Sequence, residues 1–139
     1  MPSTRITDLS VTLADAWLGL REEYEARWPS KSLLLTCTAR SPSEQFVLYK
    51  VGRHEAQDGS WQVDGDPKSR TLTECDGYVR LSRHNLNPSE ALDLVAFIAG
   101  KVTWAWAEYE AVGLMGEARG LRWGGRFPKG DGPHLELPH

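Results

Sequence analysis

The chain has 139 residues, with 16 Lys and Arg against 19 Asp and Glu and a net charge of -3 at pH 7. This length suits one domain, and the slight acidic excess excludes the basic surface that binding to a nucleic-acid backbone requires. The sequence contains neither a membrane-spanning apolar run nor a secretory leader at its start. We therefore expect one soluble domain over residues 1–139, monomeric, synthesised in the cytoplasm and not inserted in a membrane.

The first predicted element is a helix that begins at a cap on Asp8 or Ser10. Apolar residues recur at steps of three and four from Leu13 to Trp28, which predicts a core-facing stripe on a helix ending near Arg27. The short apolar run 33–39 then predicts a buried strand.

A second helix is predicted over 42–51. Ser41 and Glu44 form a capping box around a proline at the first helical position, and Gly52 is a natural end. The following segment, 54–70, is rich in Gly, Asp and Ser, which predicts a mobile loop or hairpin and a candidate lid.

Two strands are predicted next. The range 78–84 alternates, with Val79 and Leu81 expected on the core face, and 91–98 is a nearly continuous apolar run typical of a central strand. A helix over 104–119, capped by Thr103, and a short strand over 134–137 complete an α+β fold in which helices pack on an antiparallel sheet.

Two histidines and two carboxylates stand out as candidate functional residues. His84, Asp93 and His134 are the residue types of a catalytic zinc site, in which three protein ligands leave a fourth position open. Asp131 is the type of residue that accepts a proton from the attacking water. The Gly132-Pro133 pair predicts the bend that Asp131 needs to approach His134.

Asp93 provides the strongest physical argument. A carboxylate inside an apolar strand needs a metal, a cation or hydrogen-bond donors to compensate its burial. The alternative is a carboxylate at a strand edge, facing water or paired with Arg80 or Arg83. His84 also has an ordinary interpretation, as a surface or hydrogen-bonded histidine.

Several other residues have two interpretations. Arg40, at the end of the first strand, can present its donors to an oxyanion or form a surface salt bridge. Trp123, before Gly124-Gly125, can form an aromatic wall or belong to a plain turn. Cys37 and Cys75 have no metal-binding or redox spacing and are expected to be free thiols.

Four motifs together resemble a family of zinc peptidases. They are Thr38-Ala39-Arg40-Ser41-Pro42-Ser43-Glu44-Gln45, Ser82-Arg83-His84 with Ala91-Leu92-Asp93, Gly120-Leu121-Arg122-Trp123-Gly124-Gly125, and Asp131-Gly132-Pro133-His134-Leu135-Glu136-Leu137. The family contains D-Ala-D-Ala carboxypeptidases and dipeptidases and L-alanyl-D-glutamate endopeptidases, including small bacteriophage endolysins. The resemblance spans most of the chain.

The resemblance implies a small α+β fold shared with the Hedgehog signalling domain. It implies that His84, Asp93 and His134 bind Zn²⁺, with Asp131 as catalytic acid/base and Arg40 as the group that stabilises the oxyanion. Gln45 and Ser82 match positions that line the site, and we also expect Trp123 to contact substrate.

The expected function is hydrolysis of the peptidoglycan stem peptide, at the L-alanyl-D-glutamate bond. Without a signal peptide, such an enzyme would reach the cell wall by holin-type release. Two alternatives are a carboxypeptidase or dipeptidase acting on D-Ala-D-Ala, and a zinc-stabilised binding or structural module without catalysis.

Overall fold

The computed structural model describes residues 1–65 and 70–138, which form three α-helices and seven β-strands. In chain order these are α1 (Val11–Arg27), β1 (Lys31–Cys37), α2 (Pro42–Lys50), β2 (Arg53–Glu55), β3 (Trp61–Val63), β4 (Ala91–Ile98), β5 (Lys101–Thr103), α3 (Trp106–Ala118), β6 (Arg122–Trp123) and β7 (His134–Glu136). None of the helices within the described residues is long and apolar enough to span a membrane.

Five strands form one antiparallel sheet with β4 at its centre. The strand order is β1-β4-β7-β6, and β5 pairs with β4 as well. Helices α1 and α3 pack on this sheet and bury an apolar core that includes Leu13, Trp17, Leu33, Leu94 and Leu135. The predicted α+β fold class and the central position of 91–98 are confirmed.

Both N-terminal helices begin as their sequences predict. The Ser10 hydroxyl accepts the Leu13 N–H at the start of α1. At α2, Ser41 and Glu44 form the complete capping box, each side chain accepting the other residue's backbone N–H. Arg40 lies in the short connection between β1, which ends at Cys37, and the Ser41 cap of α2.

The strand predicted over 78–84 is wrong. The Asp76 carboxylate accepts the backbone N–H groups of Tyr78, Val79 and Arg80, which winds the segment into a tight bend instead of an extended strand. Val79 is consequently 93% exposed and does not reach the core. A 3-10 helix, Arg83–Asn85, follows and carries His84.

The start of the third helix also differs from the prediction. Ala99 and Gly100 both have positive φ, and they turn the chain from β4 directly into β5. The helix therefore begins at Trp106. The Thr103 hydroxyl accepts the Ala105 N–H and does not cap the helix. Short hairpins of this kind depend on turn conformation, which the polar–apolar pattern does not reveal.

The segment predicted as a loop or hairpin contains the hairpin of β2 and β3. Trp61 packs edge-on against Phe46 of α2, with ring centroids 5.7 Å apart. Val63, at the end of β3, is 62% exposed and does not anchor the hairpin. Residues 66–69 of the predicted lid lie outside the described part of the chain.

Candidate active site

Strand pairing brings the residues of the candidate site together. Asp93 of β4 lies opposite His134 of β7 on one side and opposite Cys37 of β1 on the other. Directly paired residues in adjacent antiparallel strands have Cβ atoms about 4.5–5.5 Å apart. The sheet therefore holds three potential metal ligands in one row, although they are far apart in the sequence.

His84 approaches this row from the 3-10 helix. Its backbone N–H donates a hydrogen bond to the Ser82 hydroxyl, and its Nδ1 lies 3.0 Å from the Thr38 carbonyl oxygen. Because a carbonyl only accepts, Nδ1 must carry a proton, which leaves Nε2 available for a metal. His84 Nε2 is buried and lies 3.3 Å from Asp93 Oδ2, but it makes no hydrogen bond of good geometry.

His134 is held through the other ring nitrogen, Nε2, whereas His84 is held through Nδ1. Its Nε2 lies 2.8 Å from Glu136 Oε1, whereas its Nδ1 lies 3.0 Å from Asp93 Oδ1. Glu136 is only 5% exposed and also forms an ion pair with Arg122. With Nε2–H donated to Glu136, Nδ1 is the nitrogen that can bind a metal.

The sequence interpretation missed Glu136 as part of the site. Residues two apart in a strand share a face, so the His134-Leu135-Glu136 order already places the carboxylate beside the imidazole. The predicted strand over 134–137 therefore already indicates that Glu136 lies next to His134.

The electrostatics of the cluster centre on Asp93. Burial alone would lower the pKa of both imidazoles, but the Asp93 carboxylate outweighs it and raises the pKa of His84 to about 10 and of His134 to about 9. Burial likewise opposes ionisation of Asp93, and the two histidines still hold its pKa well below the usual range. The cluster thus stabilises an anion surrounded by positive charge, a role that a bound cation can take over.

Asp131 lies at the open side of the cluster. Its Oδ2 is 3.9 Å from His134 Nδ1, and its side chain is 55% exposed. Desolvation and the nearby Asp93 charge raise the pKa of Asp131 above that of an ordinary aspartate. A raised pKa in an accessible carboxylate suits proton transfer.

The loop carrying Asp131 is fixed by close backbone packing. The Asp131 N–H donates to the Gly124 carbonyl at 2.7 Å, and a Cβ on Gly124 would lie 2.8 Å from the His134 Cβ. Gly124 is therefore needed for the close approach of these two segments. The Gly132-Pro133 bend also lies where Asp131 turns toward His134.

Arg40 lies on the other side of Asp93. Its guanidinium is 3.4 Å from Asp93 Oδ2 and donates to Gln45 Oε1 at 2.8 Å. Gln45 is fully buried and bonds the Cys75 carbonyl with its amide nitrogen. The cation beside Asp93 is therefore Arg40, whereas Arg83 bonds Glu90.

Trp123 lies beneath the site. It is 3% exposed, packs closely over Gly113, and donates its indole N–H to the Gly132 carbonyl at 2.8 Å. Gln45, Trp123 and Ser82 are the three residues predicted to contact substrate. Gln45 is buried and accepts a hydrogen bond from Arg40. Trp123 is buried and donates one to the loop that carries Asp131. Ser82 is half-buried and caps the helix of His84.

Cys37 is a further member that the sequence interpretation treated only as a free thiol. Two overlapping sets of donor atoms lie within 4.8 Å of one another, namely Cys37 with His84 and Asp93, and Asp93 with Asp131 and His134. The Cys37 sulfur is also 3.5 Å from the Arg40 guanidinium. Cys37 and Cys75 are both free, as expected.

Replacing Glu136 with Gln is expected to weaken metal binding about 10- to 100-fold, because the carboxylate that orients His134 and increases its basicity is lost. Calorimetric titration of the metal-free protein with Zn²⁺ measures this. Glu90→Gln is the matched control, since Glu90 bonds Arg83 but no imidazole. Unchanged affinity in Glu136→Gln, or an equal loss in Glu90→Gln, would contradict the orienting role.

Comparison with known proteins supports the fold. Neither a protein-family model nor a curated protein sequence matches the chain. Among solved structures, the L-Ala D-Glu endopeptidase ChiX of Serratia marcescens is similar, with a TM-score of 0.63 and 20% sequence identity over 99% of this chain and 90% of that chain. The chain therefore has the α+β fold of this peptidase over nearly its whole length.

Proposed function

We propose that the protein is a zinc-dependent peptidase that hydrolyses the peptidoglycan stem peptide at the L-alanyl-D-glutamate bond. The observation that carries this proposal is the convergence of His84 Nε2 and His134 Nδ1 on the two oxygens of Asp93, at 3.3 and 3.0 Å. The shared fold with an L-Ala D-Glu endopeptidase supports it.

The donor set fits zinc. Two imidazole nitrogens and one carboxylate are a common ligand set for catalytic zinc, and each histidine has its other nitrogen held by an oxygen acceptor. The buried Nε2 of His84, without a well-formed hydrogen bond, is an atom that a metal would satisfy. We assign His84, Asp93 and His134 as the ligands.

A bound zinc ion would polarise the scissile carbonyl and lower the pKa of a nearby water. Asp131, exposed and with a raised pKa, accepts the proton of the attacking water and returns it to the leaving amine. The Arg40 guanidinium, held by Gln45, donates hydrogen bonds to the oxyanion that develops on the carbonyl oxygen.

The direct test is incubation of the purified protein with isolated peptidoglycan, with Zn²⁺ or with a chelator, followed by mass spectrometry of the fragments. We expect peptides that begin with D-glutamate to be released only when the metal is present. Absence of new termini under both conditions would contradict the proposal.

The same experiment separates the alternatives. A carboxypeptidase acting on D-Ala-D-Ala would release the terminal D-alanine of the stem, and a dipeptidase would split free D-Ala-D-Ala added to the incubation. Neither would cut the L-alanyl bond. A non-catalytic module would lose stability on chelation but release nothing. The accessible Asp131 favours an enzyme, because a purely structural zinc site needs no proton acceptor.

A further inference from the structure

Two exposed tryptophans lie at the start of α3, and one of them, Trp106, borders the loop that carries Asp131. Trp104 is 67% exposed and Trp106 is 50% exposed. Large apolar side chains that remain exposed near a polar site often belong to ligand-binding surfaces. We call Trp104 and Trp106 the aromatic ledge.

Trp106 borders both residues that flank Asp131. A Cβ built on Gly132 would lie 3.3 Å from the Trp106 ring, and one built on Gly130 would lie 3.7 Å from it. The ring also packs against Trp123, with centroids 5.4 Å apart. One part of the ring is thus fixed against the candidate catalytic loop while half of the residue stays open.

Trp104 is held in a similar way. Its ring stacks on that of Tyr109 at 5.9 Å, with 9° between the planes. The Tyr109 hydroxyl donates to the Thr103 carbonyl and accepts the Ala96 N–H, which ties the ring to β4 and β5. The Tyr109 Cβ would also lie 3.2 Å from a Cβ on Gly132. The ledge is therefore anchored to the sheet and continuous with the candidate active site.

We propose that the aromatic ledge is a sugar subsite that binds the N-acetylmuramyl ring to which the stem peptide is attached. This inference rests on the proposed function. A pyranose presents an apolar face of C–H groups, and a fixed indole offers a large flat surface at little cost in side-chain entropy. An accessible pair of anchored indoles suits such a ligand.

The length of the substrate allows the sugar to reach this surface. In the stem peptide, one alanine and one lactyl group separate the sugar from the L-alanyl-D-glutamate bond, and two such units span at most about 7 Å. The D-Ala-D-Ala bond lies three residues further along, about 10 Å more when extended. A sugar subsite touching the neighbours of Asp131 therefore fits cleavage at the L-alanyl bond.

The test compares two substrates with the same amino acids, an N-acetylmuramyl-L-Ala-D-Glu peptide and an N-acetyl-L-Ala-D-Glu peptide. For the zinc-loaded wild type we expect a kcat/KM three- to tenfold higher on the muramyl peptide, as one aromatic contact would provide. Trp106→Ala should bring this ratio to about one, whereas Trp106→Phe should keep most of it.

Leu114→Ala is the matched control. Leu114 lies further along the same helix and is 49% exposed, close to the value for Trp106, but it is not part of the ledge. It should keep the wild-type ratio. A ratio near one in the wild type, an unchanged ratio in Trp106→Ala, or an equal loss in Leu114→Ala would overturn the inference while leaving the peptidase activity established.

A binding measurement separates this inference from the proposed function. Tryptophan fluorescence of Asp131→Asn, titrated with muramyl-L-Ala-D-isoglutamine and with its N-acetyl counterpart, reports sugar binding without turnover. Preference for the muramyl ligand that disappears on adding Trp106→Ala supports the ledge even if no bond is cut. Equal binding of both ligands, or a dimer in sedimentation that Trp106→Ala dissociates, would overturn it.

Discussion

Replacement of Asp131 by Asn is expected to lower kcat on the stem peptide about 10²- to 10⁴-fold, the usual contribution of a general acid/base. The amide keeps the shape of the side chain but cannot take up the water proton. Metal binding should survive, because the three assigned ligands, His84, Asp93 and His134, are unchanged. The release of new amino termini measures turnover, and metal analysis of the dialysed protein measures binding.

Asp58→Asn is a suitable control for this experiment. Asp58 is an exposed carboxylate that bonds Ser60 between β2 and β3, outside the candidate site. It should leave both turnover and zinc content at wild-type values. If Asp131→Asn were equally active, or lost its metal, the assignment of Asp131 as proton acceptor would be wrong.

Replacement of Asp93 by Asn should have the largest effect on stability. Asp93 lies within 3.4 Å of Arg40, His84 and His134. Its neutralisation leaves the Arg40 guanidinium without its anion and removes the charge that keeps both buried imidazoles protonated. Removing one partner of a buried ion pair typically costs about 3–5 kcal/mol. Urea unfolding of the metal-free protein measures this loss, and zinc titration should show that the site no longer binds.

Glu23→Gln supplies the comparison for an exposed pair. Glu23 bonds Arg119 at 2.8 Å, but its side chain is 49% exposed, so the expected cost is at most about 1 kcal/mol. If Asp93→Asn unfolded at the same urea concentration as Glu23→Gln, Asp93 would not be the electrostatic centre of the cluster.

The sequence was most informative where one local pattern decides the structure. The stripe from Leu13 to Tyr24 and the capping box at Ser41 each identify a helix, because periodicity and terminal hydrogen bonds involve only nearby residues. The nearly continuous apolar run of β4 likewise predicted a central strand.

The prediction failed where local turns change the direction of the backbone. The carboxylate of Asp76 accepts hydrogen bonds from three backbone N–H groups, which prevents the strand predicted over 78–84. The turn at Ala99 and Gly100 allows β5 to pair with β4, and α3 therefore begins later in the sequence than predicted. Both effects depend on particular turn conformations, which polar–apolar alternation does not specify.

By itself, the sequence determined the residue types of the candidate site, the α+β class and the burial that forces Asp93 to find partners. Only the tertiary structure decided which atoms meet: pairing of β4 with β7 joins Asp93 to His134, and Glu136 and the Thr38 carbonyl select the nitrogen each histidine presents. The physical reason is that ligand type is a property of single residues. Ligand geometry depends on strand register and hydrogen bonds between segments distant in the chain.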